Sequence, residues 1–353
     1  MSQQPEVISI YNQKGGIGKT TTSVNLAACL AAAGRKVLLV DLDAQANATN
    51  SFDPVRTPAL DLQDVVAGNG SLAEATVPTS IQGISLIPAS ASLTSIEIRL
   101  GNELKSQRSI AELMLRDDLD YDTVLIDCPP AFGLLSANAL VASTAVLIPV
   151  TPTAFAYDGL GRTMDLVQKL QAGINKALRI EGVLLTVMEP DNISRHFARL
   201  LKREFGSRVL EVEIPKDREI VKAALRRMPV AIFNPRAQAT QAYLQLVEEM
   251  VQRQQGRAGE TGATPVASVS RAAATEWLTA RRPDFDAARA NRPEEVLPSQ
   301  TESVRPQAHG TPRRPAPTLL GYAMAALAGC LVGVYFAQDI LHLVARATAA
   351  LSH

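Results

Sequence analysis

Apolar residues in the first 252 positions fall into two alternating rhythms. Short, mainly apolar runs at Val7–Tyr11, Lys36–Leu42, Thr123–Asp127, Ala145–Val150 and Leu184–Met188 read as strands buried on both faces. Helix-period segments lie between them, and the first, Lys19–Ala33, is ended by Gly34. Strands without a polar face, alternating with helices, predict an α/β fold: a mostly parallel, doubly wound sheet flanked by helices. Such sheets bind ligands at the carboxyl ends of their strands.

The rhythm changes after residue 252. Residues 253–317 are rich in Pro, Arg, Ala, Gln and Glu with little apolar clustering, which predicts a disordered linker. Within it, Ala273–Ala280 with Trp277 reads as a short helix or docking motif. Residues 318–337 then form 20 uncharged positions. At about 1.5 Å per residue they span the roughly 30 Å hydrocarbon core, so they are expected to form a C-terminal transmembrane helix. Arg313 and Arg314 just before it place the N-terminal side in the cytoplasm, with the first domain anchored to the inner membrane. The competing reading is a buried helix packed on the first domain. Residues 338–353 make a short amphipathic tail through Ile340, Leu341, Val344, Ala347 and Leu351.

Composition refines this division. Lys+Arg and Asp+Glu number 35 each, so whole-chain charge announces no nucleic-acid partner and any basic patch is local. Cys29, Cys128 and Cys330 lack pairing or metal-ligand spacing, which fits a reduced cytosolic domain. Met1 to Glu6 is polar and the apolar run after it is short, so no signal peptide is expected.

The chemistry gathers where the first strand meets the first helix. Gly15, Gly16, Ile17, Gly18, Lys19 and Thr20 complete the P-loop pattern, with Gln13 in place of its first glycine. Glycines let backbone N–H groups curl around phosphate oxygens, and the helix beginning at Lys19, with Thr21 in its first turn, adds the positive end of its dipole. Lys19 would neutralise the β- and γ-phosphates of ATP, and Thr20 would place its hydroxyl on Mg2+. Asp41 and Asp43 end one strand, and alternation puts both carboxylates on one side, toward the nucleotide. Asp127 ends another strand in Leu-Ile-Asp-Cys-Pro-Pro.

These motifs resemble those of the ParA/MinD family of P-loop ATPases over residues 6–252. The resemblance rests on Tyr11-Asn12-Gln13-Lys14-Gly15-Gly16, Asn25-Leu26-Ala27, Asp122 to Pro130 and Leu147-Ile148-Pro149-Val150. It implies ATP and Mg2+ as cofactors and ATP hydrolysis as the activity. Lys14 is the second lysine of the deviant Walker A motif, which in that family reaches the partner's phosphates across an ATP-dependent homodimer. Asp43 would orient the attacking water, and Asp127, with Thr20 and Asp41, would serve the Mg2+ site. Pro129, Pro130 and Gly133 match the family's switch-like turn. Pro215, in the Ile-Pro pair, would line the adenine. Ala44 stands where the family usually has proline.

The resemblance implies a dimerising ATPase that positions or partitions a cargo with a stimulating partner protein, here tethered to a membrane through residues 318–337. The alternative is a plasmid or chromosome partition ATPase that binds DNA non-specifically beside a centromere-binding partner. Glu189-Pro190-Asp191-Asn192 and Glu219 occupy places where DNA-binding relatives carry arginines. Arg195, Arg199, Lys202 and Arg203 nonetheless cluster on one predicted helix, a phosphate-binding face for DNA or a solvated surface. A metabolic relative, a reductase or amidoligase, is a third class. Reductases of that kind need a cysteine pair, and Cys128 is isolated.

Overall fold

The computed structural model describes residues 5–52, 57–90, 92–94, 110–116, 119–153, 156–261 and 268–283. They build eight strands: β1 (Glu6–Ile10), β2 (Val37–Asp41), β3 (Val77–Pro78), β4 (Ile84–Ile87), β5 (Thr123–Asp127), β6 (Ala145–Val150), β7 (Arg179–Met188) and β8 (Val209–Pro215). The helices are α1 (Lys19–Ala32), α2 (Asn47–Asn50), α3 (Leu62–Val66), α4 (Leu72–Ala75), α5 (Ile110–Arg116), α6 (Leu134–Ala142), α7 (Ala156–Ala172), α8 (Asn192–Phe205), α9 (Arg218–Leu225), α10 (Val230–Phe233), α11 (Gln238–Thr261) and α12 (Arg271–Ala280). One sheet runs in the order β3-β4-β2-β5-β1-β6-β7-β8. Its neighbours pair in parallel except for β3 on β4, an antiparallel edge.

The period of two along each strand sorts side chains into two cores. Val7, Leu38, Val40, Val124, Ile126, Val146 and Ile148 face one layer, with Leu135 of α6, Leu160 of α7 and Leu201 of α8. Ile8, Ile10, Val37, Leu39, Leu125 and Leu147 face the other, with Leu26 of α1, Leu244 and Val247 of α11, and Leu278 of α12. β2, β5 and β6 are buried at every position, so their sequences show no polar face. At Gly182 of β7, an added Cβ would lie 2.5 Å from Leu210, so close strand packing excludes any larger residue there.

The first domain extends past residue 252, contrary to the boundary expected from composition. α11 continues to Thr261, and Arg257 on it pairs at 3.1 Å with the buried Glu181 of β7. α12 then buries Ala274 and Leu278 against the α1–α11 layer. Arg281 lies over the Trp277 ring at 3.8 Å and donates to Gln82 at 2.6 Å. An alanine-rich segment with one buried position per turn contributes little to an apolar count, which is why composition alone read it as linker. The compact unit holding all described residues runs to Asp284. Among the described residues no helix is long and apolar enough to cross a membrane. Residues 318–337 and 338–353 lie outside the described residues.

Candidate nucleotide site

Strand register assembles the site. Ile10, Asp127 and Asp41 are register partners at the carboxyl ends of the adjacent strands β1, β5 and β2. The chain leaving Ile10 therefore becomes the P-loop directly beside two carboxylates that are remote in sequence. Gly16 (φ 71°) and Gly18 (φ 84°) adopt left-handed backbone, which a side chain would strain. Gly18 caps α1 with no side chain, and the first turn of α1 contains no acid. The N–H groups of that turn are therefore unshielded, and the helix dipole presents positive charge at the loop.

The loop is braced from several sides. Ile17 is buried, and its carbonyl accepts the Thr186 hydroxyl from β7 at 2.8 Å. Asn12 donates to the carbonyl of Pro149 at 2.8 Å, and its side-chain oxygen accepts the Lys14 N–H at 3.3 Å. Lys19 is buried and donates to the carbonyl of Lys14 at 2.8 Å, curling over the loop. Burial lowers its pKa, opposed by the Asp127 carboxylate. Lys14 donates to the Thr153 hydroxyl at 3.2 Å at the loop's outer side. Gly15 is exposed and Thr21 is half-buried at the start of α1.

Asp127 is fully buried and takes a hydroxyl on each oxygen: Thr20 at 2.8 Å and Ser23 at 2.7 Å. Burial first, and the nearby Asp41 carboxylate second, raise its pKa to about 7. A buried carboxylate beside another acid lacks positive charge, and oxygen donors suit a hard divalent cation. The Thr20–Asp127 pair therefore fits Mg2+. Among the described residues no cluster of three or more His, Cys, Asp or Glu could hold a metal by itself. The cation would complete its shell with phosphate oxygens and water, as Mg2+ prefers.

Asp41 and Asp43 come together through a turn at the end of β2 rather than through continued strand alternation. β2 ends at Asp41, the chain turns, and the N–H of Asp43 donates to Asp41 Oδ1 at 3.1 Å. Asp41 is fully buried, and its Oδ2 accepts both the N–H and the hydroxyl of Thr49 at 2.8 Å. Asp43 is partly exposed and accepts the Gln45 N–H at 3.0 Å. Asp43 is thus close enough to Lys19 and Asp127 to act on both electrostatically, while Asp41 is engaged within the loop and makes no hydrogen bond to the Thr20–Asp127 pair. Pro215 is half-buried at the carboxyl edge, in register with Met188 on β7, with β6 and β7 between β8 and β1.

The basic cluster is only partly free. Arg195, Arg199 and Arg203 are exposed on α8 at four-residue spacing, on one face. Lys202 instead pairs with Glu211 at 3.2 Å and Glu213 at 3.4 Å. Ser23, Thr49 and Thr186 were not singled out from the sequence. For Ser23 a signal was present: it follows Thr20 by three residues and so shares its helix face.

A family model described as an AAA domain matches residues 5–180. The chromosome partitioning protein ParA of Caulobacter vibrioides is 36% identical over 262 residues, 73% of this chain and 98% of that protein. Cobyrinic acid a,c-diamide synthase from Mycobacterium smegmatis, with bound ATP analogue and magnesium, matches at TM-score 0.59 and 28% identity, covering 75% of this chain and all of that one. The septum site-determining protein MinD from Pyrococcus horikoshii, complexed with Mg-ADP, matches at TM-score 0.57 and 26% identity, covering 69% of this chain and 95% of that one. Sequence and fold agree that this chain belongs to the ParA/MinD family of P-loop ATPases.

Proposed function

We propose that this chain is a Mg-dependent ATPase that dimerises on ATP and positions or partitions a cargo. The observation that carries the reading is the Thr20–Asp127–Ser23 cluster at the base of a strand–loop–helix P-loop with two lysines. Lys19, the N–H groups of Gly15, Gly16, Ile17 and Gly18, and the first turn of α1 through Thr21 hold the phosphates. Pro215 contacts the adenine. Bound Mg2+ neutralises charge on the phosphates. On the protein side, the Thr20 hydroxyl and the Asp127 carboxylate would hold the ion. Asp43 orients the attacking water, and Lys14 supplies charge to the partner's nucleotide. Phosphoryl transfer depends mainly on positioning and charge neutralisation, which this set provides.

The higher identity to ParA than to the diamide synthase favours positioning over amide-forming chemistry. The tail sequence at 318–337 supports tethering of the domain to the inner face of a membrane. Turnover and dimer mass with ATP test the catalytic reading. Lys19→Ala should bind no nucleotide, and Asp43→Ala should bind ATP, stay dimeric and fail to hydrolyse it. Wild-type turnover by Asp43→Ala would refute the assignment. Membrane fractionation of the full chain against one ending at Pro317 tests the tether; equal partitioning would refute it.

A second reading, partition through non-specific DNA binding, is favoured by the exposed Arg195, Arg199 and Arg203 face of α8. Its test is salt-dependent DNA binding by residues 1–283. Binding that survives replacement of all three arginines by alanine would exclude that face.

A further inference from the structure

The loop joining β2 to α2 is held shut from within. Asp41 sits at its start, fully buried, and Thr49 lies within α2 at its far end. Asp41 Oδ2 accepts the Thr49 N–H and hydroxyl, both at 2.8 Å, while Oδ1 accepts the Asp43 N–H at 3.1 Å. The Thr49 hydroxyl oxygen in turn accepts the Ala89 N–H at 2.9 Å, from the loop that follows β4. A second tie runs inside the loop, from the Ala46 N–H to the Asp43 carbonyl at 2.8 Å. Ala46 itself is left-handed at φ 53°, a conformation that costs a residue with a Cβ and persists only where surroundings enforce it.

One carboxylate thus fixes both the backbone of Asp43 and the end of its loop. A buried carboxylate needs such donors, because an unpaired buried charge is costly. Replacing the Thr49 side chain would remove its hydroxyl bond to Asp41 and the acceptor for Ala89 together, loosening the loop that carries Asp43 without touching the phosphate loop.

We propose that Asp41 and Thr49 form a clasp that positions Asp43 for hydrolysis, so that Thr49 is a positioning residue of the ATPase and Asp41 acts through the loop rather than on the cation. This rests on the reading of Asp43 as the residue that orients water.

Steady-state turnover, Mg-ATP affinity with a fluorescent ATP analogue, and amide exchange over residues 42–50 test it. Thr49→Val should lower kcat about tenfold or more, as small misplacements of reacting groups do. Affinity for Mg-ATP should stay within about twofold, because the lost interaction acts only in the transition state. Thr49→Ser, which keeps the hydroxyl, should restore most of kcat. Asp41→Asn should behave like Thr49→Val at every Mg2+ concentration. In the unmodified protein, the Asp43 and Thr49 amides should exchange slowly despite their position near the surface.

Unprotected exchange at both amides overturns the clasp whether or not a variant folds. Wild-type kcat in Thr49→Val overturns it too, as does recovery of Asp41→Asn by excess Mg2+, which would make Asp41 a cation residue. If Asp43→Ala hydrolyses ATP normally, the underlying reading fails instead. An inactive Asp43→Ala beside an unaffected Thr49→Val defeats the clasp alone.

Discussion

Asp41 and Asp127 stand abreast on neighbouring parallel strands, both fully buried, yet they face different partners. Asp127 receives two hydroxyls from α1, whereas Asp41 receives the β2–α2 loop. Two carboxylates 86 residues apart in sequence (127 minus 41) are joined only by sheet register.

Their burial, and second their proximity, make the nucleotide-free protein sensitive to pH. The folded Asp127 value of about 7 lies above the ordinary 3.8, so the native state holds the proton more tightly than the unfolded chain. This stabilisation is full below the ordinary value and is lost as pH rises through about 7. Asp41, also raised by burial, acts in the same direction. Melting in EDTA should show Tm falling from about pH 5 to about pH 8, with a shallower fall in Asp127→Asn. An unchanged slope in that variant would assign the dependence to other groups.

Ser23 occupies the second oxygen of Asp127, and no other described donor replaces it there. Ser23→Ala leaves a buried carboxylate oxygen unpaired, so urea unfolding should show a loss of about 1–3 kcal/mol. Alanine's better helix propensity would offset only a few tenths of that. Mg-ATP should restore part of the loss, because binding to the native state stabilises it.

Thr186 supports the P-loop from β7, two strands away from β1 across β6. Thr186→Val should keep the fold but weaken nucleotide binding by roughly fivefold, equivalent to about 1 kcal/mol for one hydrogen bond. Gly18→Ala should cost more, about 1–2 kcal/mol of strain at a left-handed residue. Isothermal titration with an ATP analogue measures both, and a weaker effect in Gly18→Ala would contradict the loop geometry.

The Lys14 ammonium rests on Thr153, apart from the carbonyl that the Lys19 ammonium contacts. Lys14→Ala should therefore bind ATP with near-normal affinity while losing ATP-dependent dimer mass and turnover. Light scattering with and without ATP checks this. A variant that dimerises normally would remove Lys14 from the proposed trans role.

The last helices belong to the folded domain. A chain ending at residue 252 loses Arg257, one of the two arginines paired with buried Glu181, and all of α12. It should melt below a chain ending at residue 283. Leu278→Ala, at a fully buried position, should cost about 2–5 kcal/mol. Equal melting of the two truncated chains would mean that α12 packs without stabilising.

The sheet class is legible in the apolar pattern, because strands buried on both faces leave uninterrupted apolar runs. β5 and β6 begin and end where those runs do. The P-loop is legible too, since its glycines, lysine and threonine lie in one short segment and meet the ligand through local backbone geometry. Which carboxylate takes which hydrogen-bond partner emerges from packing between distant segments. Alternation brings Asp41 and Asp43 together, but β2 stops at Asp41, and a turn buries Asp41 fully while leaving Asp43 half-buried. Ser23 and Thr186 acquire their roles from strand register and helix packing, contacts that span 104 and 169 residues, and only Ser23, three residues after Thr20, carries a local hint of its role. The domain boundary was decided in the same way. The sequence marks Ala273–Ala280 as a short helix or docking motif, but its packing on the domain depends on the face that α1 and α11 present to Ala274 and Leu278.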